Sequence, residues 1–68
     1  MKNLLGQVLK ELRQQNSLTQ REFAKEFGVS HAAVANWENS RREPSLDTLI
    51  RLAKFFDVTV DFLLGTES

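Results

Sequence analysis

Two helix-boundary signals, at Thr19 and Gly28, constrain this chain more than any other feature. Thr19-Gln20-Arg21-Glu22 has the pattern of a capping box: the Thr hydroxyl accepts from the third helical N–H, and the Glu carboxylate reaches back to the cap's own N–H. Gly28 is a stop, because glycine enters the left-handed conformation beyond a helix end without a Cβ penalty. The stretch between them is predicted to be a short helix over about residues 20–27, with Phe23, Ala24 and Phe27 inward. Ser30 caps the next helix, which runs to about residue 38 and carries Val34 and Trp37 one turn apart. Two short helices joined by about three residues must cross steeply. Ala24 is small where they come closest, Gly28 supplies the positive φ of the turn, and Val29, Val34 and Trp37 fill the space between. Trp37, in register with Val34, reads as core and not as a stacking platform for bases.

The rest of the chain supplies a frame for this pair. Leu5, Val8, Leu9 and Leu12 recur at helical spacing, so a first amphipathic helix covers about residues 4–15 until Asn16-Ser17 breaks it. Asn39 to Pro44 is a polar loop, and Pro44 forbids helix continuation. Ser45 caps a fourth helix with Asp47 in its first turn and Leu46, Leu49, Ile50, Ala53 and Phe56 as its apolar stripe. After Asp57-Val58, Thr59 caps a last helix that has Asp61 in its first turn and ends at Gly65. No repeat, low-complexity tract or strand-like alternation is present. The expectation is an all-α, five-helix fold, with residues 1–68 as a single domain.

Several function classes are excluded by what is missing. With no cysteine and one histidine, the 68 residues offer no disulfide, thiolate site or zinc cluster, so no metal or cofactor is expected. No nucleophile–base pair and no phosphate-cradling glycine loop occurs, and so small a domain leaves little room for a pocket of about 300 Å³; enzymatic activity and a small-molecule ligand are not expected. The apolar runs fall far short of the ~20 residues that span a bilayer, which points to a soluble, cytoplasmic protein without a membrane partner. The formal net charge of zero hides a split: residues 1–42 carry seven Lys/Arg against four Glu, and residues 43–68 carry two against five acids. A basic face can therefore coexist with overall neutrality.

Leu18-Thr19-Gln20, Phe23-Ala24, Phe27-Gly28-Val29-Ser30, Val34, Trp37-Glu38-Asn39, Arg42-Glu43-Pro44-Ser45, Leu49, Leu52-Ala53, Val58-Thr59-Val60-Asp61 and Leu63-Leu64-Gly65 together resemble the Cro/cI-type (XRE-like) helix-turn-helix family over roughly residues 4–65. The resemblance implies a five-helix lambda-repressor-like domain that binds double-stranded operator DNA, most often as a repressor and a homodimer on a pseudo-palindrome. Helix three, about residues 30–38, would be the recognition helix in the major groove. The positions matching the family's base readers are Gln20, His31, Ala32 and Asn36. Gln20 would bridge phosphate and recognition helix, or bond adenine directly; Asn36 offers the two-headed amide that adenine needs. Ala32 is either an apolar contact for a thymine methyl or simply a helix former. His31 is either a plain exposed helix-start residue or a DNA contact, as a cation to phosphate or as a donor to guanine N7; no second histidine, cysteine or carboxylate pair supports a metal or catalytic role. Phosphate contacts fall to Ser30, Asn39, Arg41 and Arg42, with Arg21 in addition. A protein–protein module of antitoxin type on the same scaffold is the alternative function.

Two departures from the family pattern stand out. Ser40 occupies a position where glycine is common, so the loop into Arg41 is expected to turn differently or with less strain. Ala32, Ala33 and Ala35 leave helix three with few polar readers. The resemblance also places Arg13 and Glu38 together, and both border apolar stripes, so a partly buried ion pair is expected to join helix one to the end of helix three. Phe62 sits on a helix too short to bury every side chain. With Val58 and Leu64 it either forms an exposed apolar patch suited to a two-fold contact or is buried against Phe56.

Overall fold

Hydroxyl side chains start four of the five helices. Thr19, Ser30, Ser45 and Thr59 each accept from the backbone N–H three residues on, at the heads of α2 (Gln20–Phe27), α3 (His31–Glu38), α4 (Leu46–Phe56) and α5 (Val60–Leu64). The first helix, α1 (Leu5–Gln15), has no side-chain cap at Leu4; the Asn3 side-chain oxygen Oδ1 accepts instead from Leu5 N–H at 3.0 Å. The computed structural model describes residues 3–66, and all regular structure among them is helical. None of these helices is long and apolar enough to cross a membrane.

The capping box at Thr19 is complete. Glu22 N–H donates to the Thr19 hydroxyl at 3.0 Å and Thr19 N–H donates to the Glu22 carboxylate at 2.8 Å. That backbone N–H first, and the Thr19 hydroxyl second, hold the Glu22 carboxyl below its ordinary pKa. A depressed carboxyl stabilises the fold above its unfolded-state value and loses that contribution only as pH falls through the lowered one.

Helix ends follow one rule. Ser17, Gly28, Ser40, Asp57 and Gly65 are the described residues with positive φ, and one lies at or just beyond the end of each helix. At Ser40 the turn is a full Schellman motif, with Ser40 N–H bonded to Trp37 O at 3.2 Å and Arg41 N–H to Asn36 O at 2.9 Å. Ser40 thus takes the left-handed conformation that glycine would take (φ 59°), and the expectation of a different or less strained turn is corrected.

α1 packs on α3 and α5, α2 on α3, and α4 on α5. Leu9, Phe23, Val34, Leu52 and Leu63, one from each helix, are fully buried at the centre. Phe23 stacks on Phe27 and Phe56, and Phe27 meets Trp37 edge-on. The α4 stripe differs from expectation: Leu49, Leu52 and Ala53 are buried, whereas Leu46 is 77% and Ile50 48% exposed. Apolar residues occupy more than one face of α4, and the face that packs is the one carrying Leu52.

Gly6 sets the approach of α1 to α3. A Cβ there would lie 2.7 Å from Glu38 O and 2.8 Å from Trp37 O, closer than non-bonded atoms tolerate. Gly6→Ala should lower stability by about 1–2 kcal/mol, since separating two packed helices outweighs alanine's better helix propensity. Urea unfolding checks this against Gln7→Ala, an exposed neighbour expected to be near neutral. Equal midpoints for the two variants would show that α1 can shift at no cost.

Candidate nucleic-acid interface

The Glu38 carboxylate at the end of α3 organises the candidate interface. Arg13 reaches it from α1 with two bonds, Nε to Oε2 at 2.7 Å and Nη2 to Oε1 at 3.1 Å, while Arg13 Nη1 donates to Leu18 O at 2.7 Å. Only 9% of the Arg13 side chain and 2% of the Glu38 side chain are exposed, so the pair is more deeply buried than the sequence suggested. Gln20 adds a third donor from the head of α2, Nε2 to Glu38 Oε1 at 3.0 Å. Its carbonyl end meets His31 Nε2 at 3.0 Å, at the start of α3. One chain of bonds therefore ties α1, the connection at Leu18, α2 and both ends of α3. Among the described residues no buried side-chain nitrogen or oxygen lacks a partner.

The α2–α3 turn is set by backbone conformation. Gly28 has φ 86°, and both Gly28 N–H and Val29 N–H donate to Ala24 O at 2.9 Å. A Cβ on Gly28 would meet nothing within 4 Å, so glycine is needed for its φ and not for space. Ala24, Val34 and Trp37 are buried as expected.

The other residues singled out from the sequence lie on and around α3. Ala32 is exposed, His31 and Asn36 are half-buried, and Ala32 and Asn36, four apart, share a helix face. Ser30, at the N-terminus of α3, uses its hydroxyl to accept from Ala33 N–H at 3.0 Å. Asn39, Arg41 and Arg42 are exposed in the turn after α3, where Asn36 O accepts from the backbone N–H of Arg41 at 2.9 Å and of Arg42 at 3.4 Å. Arg21 is exposed in the first turn of α2. Both ends of the Gln20 amide bond to α3, the NH₂ group to Glu38 at its end and the carbonyl oxygen to His31 at its start. Phe62 is 43% exposed, Val58 and Leu64 are half-buried against the core, and the ring partners of Phe56 are Phe23 and Phe55.

Besides the Gln20–His31 bond, two contacts escaped sequence reasoning. The Leu18 carbonyl completes the Arg13 guanidinium, and Arg51 lies over the Phe27 ring at 4.4 Å while donating to Phe27 O at 2.9 Å. No spacing signal marks either, because a backbone carbonyl is present at every residue and only the fold selects one.

A helix-turn-helix family model matches residues 9–63 of the chain. The HTH-type transcriptional regulator ImmR of Bacillus subtilis is 38% identical over 63 residues, covering 93% of this chain and 50% of that protein. The HTH-type transcriptional activator BcrR of Enterococcus faecalis is 39% identical over 62 residues, covering 91% of this chain and 30% of that protein. This chain thus spans half of one relative and less of the other. Among solved structures, the P22 c2 repressor in complex with synthetic operator 9T superposes with a TM-score of 0.84 at 30% identity, covering 97% of this chain and 100% of that one.

The buried pair predicts a large, non-additive energetic signature. Arg13→Met or Glu38→Gln should each cost about 3–5 kcal/mol, since a desolvated charge loses its partner. The double variant should lose much less than the two losses combined, a coupling that exposed pairs at about 0–1 kcal/mol do not show. Urea unfolding of the three variants measures it, and strictly additive losses would mean the side chains do not interact in solution.

Proposed function

We propose that this chain, which belongs to the helix-turn-helix family of the Cro/cI type, binds a specific duplex DNA site as a transcription regulator, most simply a repressor on a pseudo-palindromic operator. The observation that carries this reading is the seating of α3: both of its ends are bonded into the Arg13–Glu38–Gln20–His31 chain, while Ala32 on its surface is left open. A helix held this way can enter the major groove as a rigid body. His31, Ala32 and Asn36 then face base edges, with Gln20 supporting His31; Asn36 pairs with adenine and Ala32 packs on a thymine methyl. Ser30, Asn39, Arg41 and Arg42 flank α3 and meet phosphates, with Arg21 alongside. The P22 c2 repressor in complex with a synthetic operator, whose whole chain this fold covers, supports the choice of duplex DNA as partner.

Selection from a random duplex pool tests the reading. A defined motif should emerge, and binding should weaken with salt at a slope near −0.9 per phosphate neutralised. Arg42→Ala should weaken all duplexes alike and flatten the slope by about one phosphate, whereas Asn36→Ala should relax preference at one or two positions only. A motif unchanged in Asn36→Ala removes Asn36 as a reader, and equal binding of every duplex removes the function.

The exposed Phe62, flanked by Val58 and Leu64, is the proposed contact of a two-fold homodimer with half-sites about one helical turn, ~34 Å, apart. Footprints should cover both half-sites, and Phe62→Glu should reduce protection of the pair while leaving thermal stability near wild type. Protection of one half-site at saturating protein argues against the dimer, and undiminished pairing in Phe62→Glu against this surface.

A further inference from the structure

Hydrogen-bond polarity runs in one direction from the core to the surface of α3. The Glu38 carboxylate, which holds the Arg13 guanidinium in two bonds, can only accept. The end of Gln20 that faces it at 3.0 Å must therefore be the NH₂ group. That leaves the Gln20 carbonyl oxygen toward His31, and an oxygen at 3.0 Å from Nε2 requires Nε2 to carry the hydrogen. A neutral imidazole protonated at Nε2 has a bare lone pair at Nδ1. Nδ1 makes no hydrogen bond within the described residues, and no buried side-chain nitrogen among them lacks a partner, so Nδ1 is accessible to solvent at the start of α3.

We propose that His31 reads its base as an acceptor, presenting Nδ1 to an exocyclic amine, adenine N6 or cytosine N4, in the major groove. The proposal rests on the DNA-binding reading above and goes beyond it by giving this position a chemical sign. Guanine offers only acceptors, N7 and O6, to the groove, and two lone pairs in apposition repel. The expectation that His31 donates to guanine N7 is thereby reversed for the neutral ring. Gln20 acts as a positioning residue: its amide passes the polarity of the buried carboxylate outward and fixes which ring nitrogen is free. In metal-bound histidines, too, the partner of one ring nitrogen decides which nitrogen is left free.

Two measurements at about pH 8, above the usual imidazole range, decide it. Long-range ¹⁵N–¹H NMR of the free protein should show His31 in the Nε2–H form, and Gln20→Met should convert it to a mixture of tautomers. Duplex selection then locates the position that loses its preference in His31→Ala. At that position, replacing the amine-bearing base by an analogue without its exocyclic amine (purine for adenine, 2-pyrimidinone for cytosine) should weaken wild-type binding roughly tenfold and leave His31→Ala unaffected, the sensitive base telling which amine is read. His31→Lys, a donor only, should lose that sensitivity. An Nδ1–H tautomer in the wild type, wild-type binding indifferent to the amine, or wild-type binding weakened by 7-deazaguanine there instead each overturns the proposal. Absence of any duplex preference overturns the underlying function as well, and the tautomer measured without DNA tells the two failures apart.

Discussion

The Glu38 carboxylate is the point on which the arrangement of helices depends. Burial of Leu9, Phe23, Val34, Leu52 and Leu63 supplies the main drive to collapse, but that force has no direction and tolerates sliding of one helix on another. A desolvated carboxylate tolerates none, because each accepted bond it loses leaves charge in a low-dielectric interior. Glu38 accepts from Arg13 on α1 and Gln20 on α2, and so converts a set of apolar contacts into one registration of three helices. With no cysteine in 68 residues there is no covalent staple to do this instead.

Where helices begin was legible in the sequence, and where they end only partly. A hydroxyl cap acts within three residues, so Thr19, Ser30, Ser45 and Thr59 declared themselves by type and spacing. Gly28 and Gly65 did likewise at two helix ends. Ser17, Ser40 and Asp57 take up the same left-handed conformation with a Cβ present, and residue type alone gave no such indication. Gly6 stayed silent for a different reason: it is required by two carbonyls of α3, more than thirty residues away. On α4, LDTLIRLAKFF carries apolar residues on more than one face, and periodicity could not choose between the stripe with Ile50 and the one with Leu52.

The candidate interface divides along the same line. The Arg13–Glu38 pair could be inferred because both residues border apolar stripes and the family resemblance joins them. The resemblance also marked Gln20, as a bridge to the recognition helix or a reader, and His31, as a plain helix-start residue or a contact, without joining the two. Their mutual bond follows only from how α2 and α3 pack, and its polarity from the Glu38 carboxylate on the other end of Gln20. The charge split between the two halves of the chain survives burial of the Arg13–Glu38 pair, since both lie in the first half and cancel there while Arg41 and Arg42 stay exposed.

The left-handed stops keep every helix short: α2 and α3 have eight residues each, α1 and α4 eleven, and α5 five. Isolated helices shorter than about 12–15 residues are marginal in water, because nucleation costs more than so few bonds return. α3 therefore has little claim to helicity apart from its neighbours. Its surface comes into being with the domain and vanishes with it, in a single cooperative transition. A partly melted molecule would not keep a fragment of that surface; it would lose α3 altogether, so the fraction of molecules that present the α3 surface equals the fraction folded.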